Sequence, residues 1–522
     1  MNTKNLTDLL QSLIEPDASI QSFEVRGISQ NSRTVQRGDL FLACAGSQGS
    51  HGIAYGGEAG KKGAIAIAWE PTDELQNMPG QFVVEQTGKG KYTIPLLAVD
   101  KLHQKAGQIA ARFYDEPTKQ MQVIGITGTN GKTSISFFVA QCLSVKQPCG
   151  VLGTIGNGLF DLTFADIKTS SHTTADAVSL QAMMADFHSK GAKQVVMEVS
   201  SHALDQYRVA GVDFNLGVFT NLSRDHLDYH GDMESYARAK RKLFLDYELD
   251  VAIVNRDDDE GRKIISALKS ARKKVLTYSI ADSDIRNEKS ADIFASNVHA
   301  KNDGTLFNFC IAEQQAQVKI ALLGTFNISN VLATAGVLHA LGQRFWDIVK
   351  YLQDLQSVPG RMELIKSDTG AKSAQFIVDY AHTPDALEQA LKALQEHTDV
   401  AIGVKIWCVF GCGGDRDKGK RKLMGEIACR YADHIILTTD NPRGEEPREI
   451  IADIETGMDH MVEYQIEVDR TNAIRLAIES ANDNDIVLVA GKGHENYQEV
   501  KGIKHFYSDQ QIIREILAEI GK

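Results

Sequence analysis

The sequence predicts an α/β protein of three regions. A small α/β region covers residues 1–104, a P-loop-like, mostly parallel sheet with helices covers 105–358, and a Rossmann-like α/β region covers 359–522. Apolar strand-like runs alternate with helical patterns along most of the chain, the order that yields parallel sheets. One run, QVIGIT, passes directly into a glycine-rich turn that opens a helix. Four late runs, FIVDYAH, KIWCVFGCGGD, HIILTTD and DIVLVAGKG, each end in a polar or glycine-rich tip. Open α/β sheets bind ligands beyond the carboxyl ends of their strands, so the four tips point to one functional edge.

In the first region GDLFLACAG and GAIAIAW read as short strands between glycine-rich turns, and KLHQKAGQIAARFYD reads as the helix leading out of it. The central strands are QVVMEVS, LGVFTNL and VAIVN, with residues 284–318 a β-rich insertion. SVPGRME, around Pro359-Gly360, reads as a hinge before the alternation restarts.

Composition sets the class. The 522 residues are 43% hydrophobic and 24% charged, enough apolar material for two to four cores. A net charge of -12 argues against a general nucleic-acid binder, which usually carries a basic bias, but leaves local phosphate sites open. Seven scattered cysteines suit free thiols of a reducing compartment. Cys44 and Cys408 lie in apolar runs, and Cys408 and Cys412 have no second pair to complete a zinc site. The start lacks the apolar core of a signal peptide, and no segment approaches the roughly 20 apolar residues of a membrane span. The expectation is a cytoplasmic protein, with a monomer as the default state.

GITGTNGKTS, residues 125–134, is the strongest single signal. Glycine lets backbone N–H groups approach phosphate oxygens, and the start of the following helix adds partial positive charge. Gly128, Thr129, Asn130, Gly131 and Ser134 form the loop; Lys132 suits the β- and γ-phosphates and Thr133 a Mg²⁺ ion. Ile126 stands where the general pattern has glycine, and the glycine falls at 128. An ATP- or GTP-binding loop outweighs a chance glycine turn because strand, loop and helix follow in order.

Two further strand ends bring carboxylates and histidines. MEVSSHALDQYR places Glu198 near a strand end, where it could face the same Mg²⁺ as Thr133. In TNLSRDHLDYHGDMESYARAKRKLF, His226 and His230 are four apart, with Asp225 and Asp228 between and beside them. Oxygen-rich donors and the lack of cysteine favour Mg²⁺ or Mn²⁺ over zinc. Lys240, among Arg238, Arg241 and Lys242, reads by itself as a solvated base. In TTDNPRGEEP, Asn441-Pro442 forces a turn from which Arg443 projects, and read alone this is a solvated corner.

In combination these motifs change the reading. TGTNGKTS, HTTADA, MEVSSHAL, TNLSRDHLDYHG, GTFNISNVLAT, GRME, DYAHTPDAL, GCGGDRDKGKR, DNPRGEEP and AGKGHE occur in one order along essentially the whole chain. The sequence resembles the Mur ligases, ATP-dependent amide-forming enzymes of peptidoglycan precursor synthesis. Within them it looks most like those that add the third stem-peptide residue to UDP-N-acetylmuramoyl-L-alanyl-D-glutamate (UDP-MurNAc-L-Ala-D-Glu).

The resemblance implies a UDP-binding first region, an ATP-binding centre and an amino-acid-binding third region. It implies activation of the D-glutamate γ-carboxylate as an acyl phosphate, then attack by an amine. Lys132, Glu198, His226 and Lys240 match catalytic positions, and Thr133, Glu198, His226 and Lys240 match Mg²⁺ positions. Lys240 corresponds to a lysine that becomes a carbamate, which would supply oxygens for a second Mg²⁺. Asn327, Asn330, Arg361, Asp379 and His382 match nucleotide contacts. Thr173, Thr174, Ser200, Gln206 and Arg208 match substrate contacts, and Ser32, Ser47, Gln48 and Gly49 match positions near the uridine. Gly49-Ser50-His51-Gly52 departs from a common Asp-Gly-His, and His172 and Ala175 stand where asparagine and proline are frequent.

The DNPR turn, Asp440, Asn441, Pro442 and Arg443, is the family's signature for meso-diaminopimelate, with Arg416, Gly491 and Glu495 as the other amino-acid contacts. Diaminopimelate is lysine with an extra carboxylate, and arginine's planar fork suits a carboxylate. A lysine-adding ligase is the nearest rival and lacks a reason for Arg443. A folylpolyglutamate synthetase would not be expected to pair DNPR with GKGHE. Glu445 and Glu446 are either arginine-orienting or simply solvated.

Overall fold

The computed structural model describes residues 3–15, 20–46, 51–76, 78–86, 90–161, 167–168, 173–280, 291–301, 304–365, 374–397, 403–459 and 462–520. The chain divides into two compact units. The first comprises 1–125, 143–215 and 245–250, and the second 126–142, 216–244 and 251–522.

The first unit holds a five-stranded sheet ordered Gly27–Ser29, Asp39–Ala43, Ala66–Trp69, Gly90–Ala98 and Gln81–Gln86. The first four strands are parallel and the last antiparallel. GDLFLACAG and GAIAIAW thus supply two of its three inner strands, buried along their length. Burial on both faces is why they read as unbroken apolar runs rather than alternating ones. One face packs on Leu102 and Ala106 of the helix Leu102–Phe113 and the other on Ile53 and Ala59. The same unit carries the strand Cys149–Leu152, which pairs parallel with Gln194–Glu198 and antiparallel with Asn157–Phe160.

The strand Gln122–Thr127 runs from the first unit into the second, where the helix Lys132–Ser144 begins. In the second unit Leu216–Phe219, Val251–Asn255, Val275–Ile280 and Ile293–Lys301 pair in parallel. Gly304–Ile311 and Gln314–Ile320 then fold back as an antiparallel meander. The β-rich insertion expected from residue 284 is therefore real from Ile293 onward, and residues 284–290 lie outside the described set.

The last sheet carries the four polar tips. Its order is Glu363–Ile365, Gln375–Asp379, Ile486–Ala490, Ile406–Phe410, His434–Leu437 and Tyr464–Ile466. All neighbours are parallel except the first pair. Helices Pro384–His397, Gly419–Tyr431 and Pro447–Glu455 cover one face, and Arg470–Ser480 and Asp509–Ile520 the other. Arg470 and Asp509, each without exposed side-chain surface, join the latter two helices through a two-pronged ion pair of 2.8 Å contacts. In the SVPGRME segment the Gly360 N–H donates to Glu363 at 2.7 Å, and the Met362 N–H to Asp379 at 2.7 Å.

All seven cysteines are free thiols; Cys408 and Cys412 are buried, Cys44 half-buried. Among the described residues no helix is long and apolar enough to cross a membrane.

Candidate active site

The glycine loop is built from the strand end outward. The Thr129 N–H donates to the Asn221 carbonyl at 2.8 Å and the Asn130 N–H to the Asn221 side chain at 2.9 Å. The Thr129 hydroxyl donates to the Ser223 carbonyl at 3.2 Å. These bonds tie the loop to TNLS, the tip of the neighbouring strand. Gly128, at φ 147°, lies so close to Thr220 that a Cβ would meet its hydroxyl at 1.8 Å. Gly131, at φ 85°, lies against Asn330. Lys132 arches over the loop and donates to the Gly128 and Thr129 carbonyls at 2.9 and 2.8 Å. Thr133 and Ser134 are buried in the first helical turn.

Three nucleotide candidates, Asn327, Asn330 and Arg361, gather on this loop. Asn327 and Asn330, one turn apart in the helix Thr325–Ala340, are buried and linked at 3.1 Å. Arg361 stacks on Tyr380 at 4.3 Å and donates to the Thr133 hydroxyl at 3.1 Å. Its buried Nε has no hydrogen-bond partner among the described residues. His382 is pushed down to about 4, chiefly by burial and then by Lys420, so its ring is neutral at pH 7. Asp379 stands apart from this group. Burial raises its carboxyl, whose oxygens accept from the Met362 and Ala381 N–H groups, so it braces the turn that carries Arg361. Sequence reading missed Asp385, which accepts from the Asn130 amide at 2.7 Å.

Lys240 reverses its solvated reading. It is 1% exposed, donates to the Gly128 carbonyl at 2.6 Å and sits 4.5 Å over the Tyr236 ring. Burial, with Lys132 nearby, holds its ammonium well below the usual lysine range. His226 caps the short helix Leu227–His230 with a left-handed backbone, φ 54°. Both His226 and His230 face Tyr236, at centroid distances of 6.1 and 5.2 Å. Among the described residues no three His, Cys, Asp or Glu side chains cluster to hold a metal.

In the first unit Glu198 sits at its strand end, with Oε1 accepting from the Thr154 N–H at 2.8 Å and Oε2 from the Thr154 hydroxyl at 3.0 Å. That hydroxyl lies 3.1 Å from Thr173. Thr174 donates to the Glu198 carbonyl at 2.9 Å, and Ser200 caps the next helix through Ala203 at 3.1 Å. Arg208 donates twice to Gln206 and reaches the Thr174 carbonyl at 3.1 Å. Thr173, Thr174, Glu198, Ser200, Gln206 and Arg208 therefore form one polar cluster. Ser32 lies away from it and donates to Glu58 at 2.6 Å. Ser47, Gln48, Gly49 and His172 lie outside the described residues.

The DNPR turn is not a solvated corner. The Arg443 side chain is only 20% exposed. Its Nη1 donates to the Gly414 carbonyl at 2.8 Å and its Nε lies 3.6 Å from Glu499. Its backbone, at φ 49°, pairs with the hairpin Tyr497–Val500/Ile503–Phe506 through Glu499 and Lys501. Gly414 accommodates the turn by close approach: a Cβ there would meet the Pro442 carbonyl at 1.9 Å. Asn441 donates to Glu495 at 2.8 Å, and Asp440 and Asn441 are both buried beside Gly491. Arg416 is the exception, an exposed side chain whose one hydrogen bond among the described residues is to its neighbour's carbonyl.

Glu445 has a defined role. It accepts both prongs of the fully buried Arg421 at 2.9 and 2.8 Å and the Asp415 N–H at 2.6 Å. Arg421 holds its carboxyl down to about 2. The pair ties GGDRDKGKR to DNPRGEEP. Glu446 is exposed, with Lys501 at 3.7 Å.

With this geometry in view, residues 126–338 match the Mur ligase middle domain and residues 360–493 the Mur ligase glutamate ligase domain. A protein of Alkalilimnicola ehrlichii, UDP-N-acetylmuramoyl-L-alanyl-D-glutamate–2,6-diaminopimelate ligase, is 42% identical over 98% of this chain and 99% of its own. The chain belongs to the Mur ligase family. This Mur ligase is also 42% identical to the Pseudomonas aeruginosa protein of the same name, over 95% of both chains. A solved structure of a ligase so named covers 100% of both chains at 35% identity and a TM-score of 0.68.

Because Glu445 is held below its usual value of 4.5, the stability it contributes is present above that pH and lost as the carboxyl protonates toward 2. Glu445→Gln is expected to lower the urea midpoint at neutral pH. The gap from wild type should narrow as pH falls below about 4.5; a gap that stays constant over that range contradicts the ion-pair account.

Proposed function

We propose that this Mur ligase joins meso-diaminopimelate to the D-glutamate γ-carboxylate of UDP-MurNAc-L-Ala-D-Glu at the expense of ATP, in cytoplasmic peptidoglycan precursor synthesis. The observation that carries the reading is the half-buried Arg443 fork, held by the Gly414 carbonyl and Glu499 in the same turn that places Asp440 and Asn441 beside Lys492 and Glu495. The names of its relatives at 40–42% identity support it. Seven free cysteines suit a reducing compartment. We assign UDP binding to residues 1–104, ATP binding to 105–358 and amino-acid binding to 359–522, in a monomer.

A carboxylate is a poor electrophile, so amide formation needs activation. The D-glutamate carboxylate attacks the γ-phosphorus of ATP, releasing ADP and leaving an acyl phosphate. The amine of diaminopimelate attacks its carbonyl, and the tetrahedral intermediate collapses with loss of phosphate and a proton. Such transfers are catalysed mainly by positioning and by charges aimed at the phosphoryl oxygens. Lys132, the N–H groups at the start of the helix Lys132–Ser144 and Arg361 supply those charges, while the Thr129 and Asn130 N–H groups hold the loop to Asn221; Asn327, Asn330 and His382 border the nucleotide. Thr173, Thr174, Ser200, Gln206 and Arg208 hold the UDP-linked peptide.

The hydroxyl of Thr133 is a hard oxygen donor that suits Mg²⁺, and in the first unit the carboxylate of Glu198 is another. Thr133 would hold the ion with His226 and, once carbamylated, Lys240, and the bound ion would screen phosphate charge. Lys240 is suited to carbamylation because a buried lysine with a depressed pKa presents a neutral amine. Arg443 would receive the distal carboxylate of diaminopimelate, which lysine lacks, and Glu495 an ammonium.

Phosphate release with the UDP-linked dipeptide should be strong with meso-diaminopimelate and weak with L-lysine; equal or better turnover with L-lysine would refute the assignment. Arg443→Ala should raise the KM for diaminopimelate about 30- to 700-fold, equivalent to about 2–4 kcal/mol, with the KM for ATP nearly unchanged. Protein equilibrated with ¹³C-bicarbonate should show a carbamate carbon signal that is absent from Lys240→Met. A signal that persists in the variant assigns the carbamate elsewhere.

A further inference from the structure

Lys492 lies within AGKGHE, yet the mechanism gives it no task. Its side chain is 0% exposed. Its Nζ lies 3.1 Å from the Asn441 Oδ1, 3.1 Å from the Glu495 Oε2 and 3.6 Å from the Asp440 Oδ1. The rings of Tyr497 and Tyr507 flank it at 5.6 and 6.0 Å. Gly491 and Gly493, at φ 114° and 53°, turn the chain on either side of it.

We propose that Lys492 is a positioning residue of the amino-acid site, setting the orientation of Glu495 and Asn441 from beneath without touching substrate. The proposal rests on the amino-acid-binding reading of this edge. A lysine can only donate, so the amide oxygen of Asn441 must face it. That oxygen also accepts from the Glu499 N–H at 2.9 Å. The Asn441 NH₂ is thereby turned to Glu495, to which it donates at 2.8 Å. One cation thus sets two groups.

Charge points the same way. Asp440 and Glu495 are two carboxylates beside one ammonium, leaving a single net negative charge, matched to one substrate ammonium. Without Lys492 the Asp440 and Glu495 carboxylates would lose the buried ammonium that both lie against, and with it the contact that fixes where Glu495 points.

The test is a double-mutant cycle with Lys492→Met and Glu495→Gln, reading the KM of each of the three substrates. Lys492→Met is expected to raise the KM for meso-diaminopimelate about 10-fold or more, leaving those for ATP and the UDP-linked dipeptide within about 2-fold. In the Glu495→Gln background the same change should add little, because Glu495 is the group through which Lys492 acts. Lys492→Arg, which keeps the cation but displaces it, should fall between wild type and Lys492→Met. If Lys492→Met does not fold, Lys492→Arg carries the test, with a rise in the diaminopimelate KM alone expected. An unchanged diaminopimelate KM, a parallel rise in all three, or fully multiplicative effects in the cycle overturn the proposal. Wild type is assayed alongside with meso-diaminopimelate and L-lysine. If it prefers lysine, the substrate assignment fails by itself and the cycle is read on lysine.

Discussion

Strands buried on both faces leave polar chemistry only one place to go. Gln375–Asp379, Ile406–Phe410, His434–Leu437 and Ile486–Ala490 run parallel between two helical layers, so their carboxyl ends face one way. Each must turn there, and each turn carries ionisable groups: Asp379, Asp415 and Arg416, Asp440 and Arg443, Lys492 and Glu495. The positions of the strands in the sheet, not in the chain, decide which tips meet. Ile486–Ala490 lies between Gln375–Asp379 and Ile406–Phe410, so the last tip in sequence lands among the first.

Concentrating charge at one edge requires neutralising it locally, and two buried cations do so. Arg421, in the helix Gly419–Tyr431, engages Glu445 of the turn after His434–Leu437 and Asp453 of the helix Pro447–Glu455. Lys492 engages Asp440 and Glu495 within the site itself. A buried charge left alone is costly, so each pair constrains its loop more strongly than an exposed contact could. The hairpin Tyr497–Val500/Ile503–Phe506 adds a backbone clamp. Gln498 donates to the Asp440 carbonyl at 2.8 Å, and Glu499 and Lys501 pair with Arg443.

The phosphate loop follows a similar logic with different partners. The Gly128 carbonyl accepts from both Lys132 and Lys240, which sets two lysine amines side by side. The proximity helps to keep Lys240 depressed, and burial does the rest. Arg361 and Asp385, both from the segment following the central sheet, contact Thr133 and Asn130. The loop is therefore positioned by groups more than 200 residues away as well as by its own glycines.

Local pattern determined much of this protein. Alternating runs announced the α/β class, because parallel strands buried on both faces must be apolar throughout. GITGTNGKTS announced phosphate binding, because few residue types let a backbone wrap an anion. What local pattern could not determine was the fate of individual charges. Lys240 reads as solvated among three other bases, and Arg443 as a corner residue, because burial depends on what packs above them. Glu445 gave no sign of Arg421, 24 residues away, nor Lys492 of Asn441, 51 residues away. Those pairings exist only because the sheet order brings the tips together, and a charge's role follows from its neighbours in space.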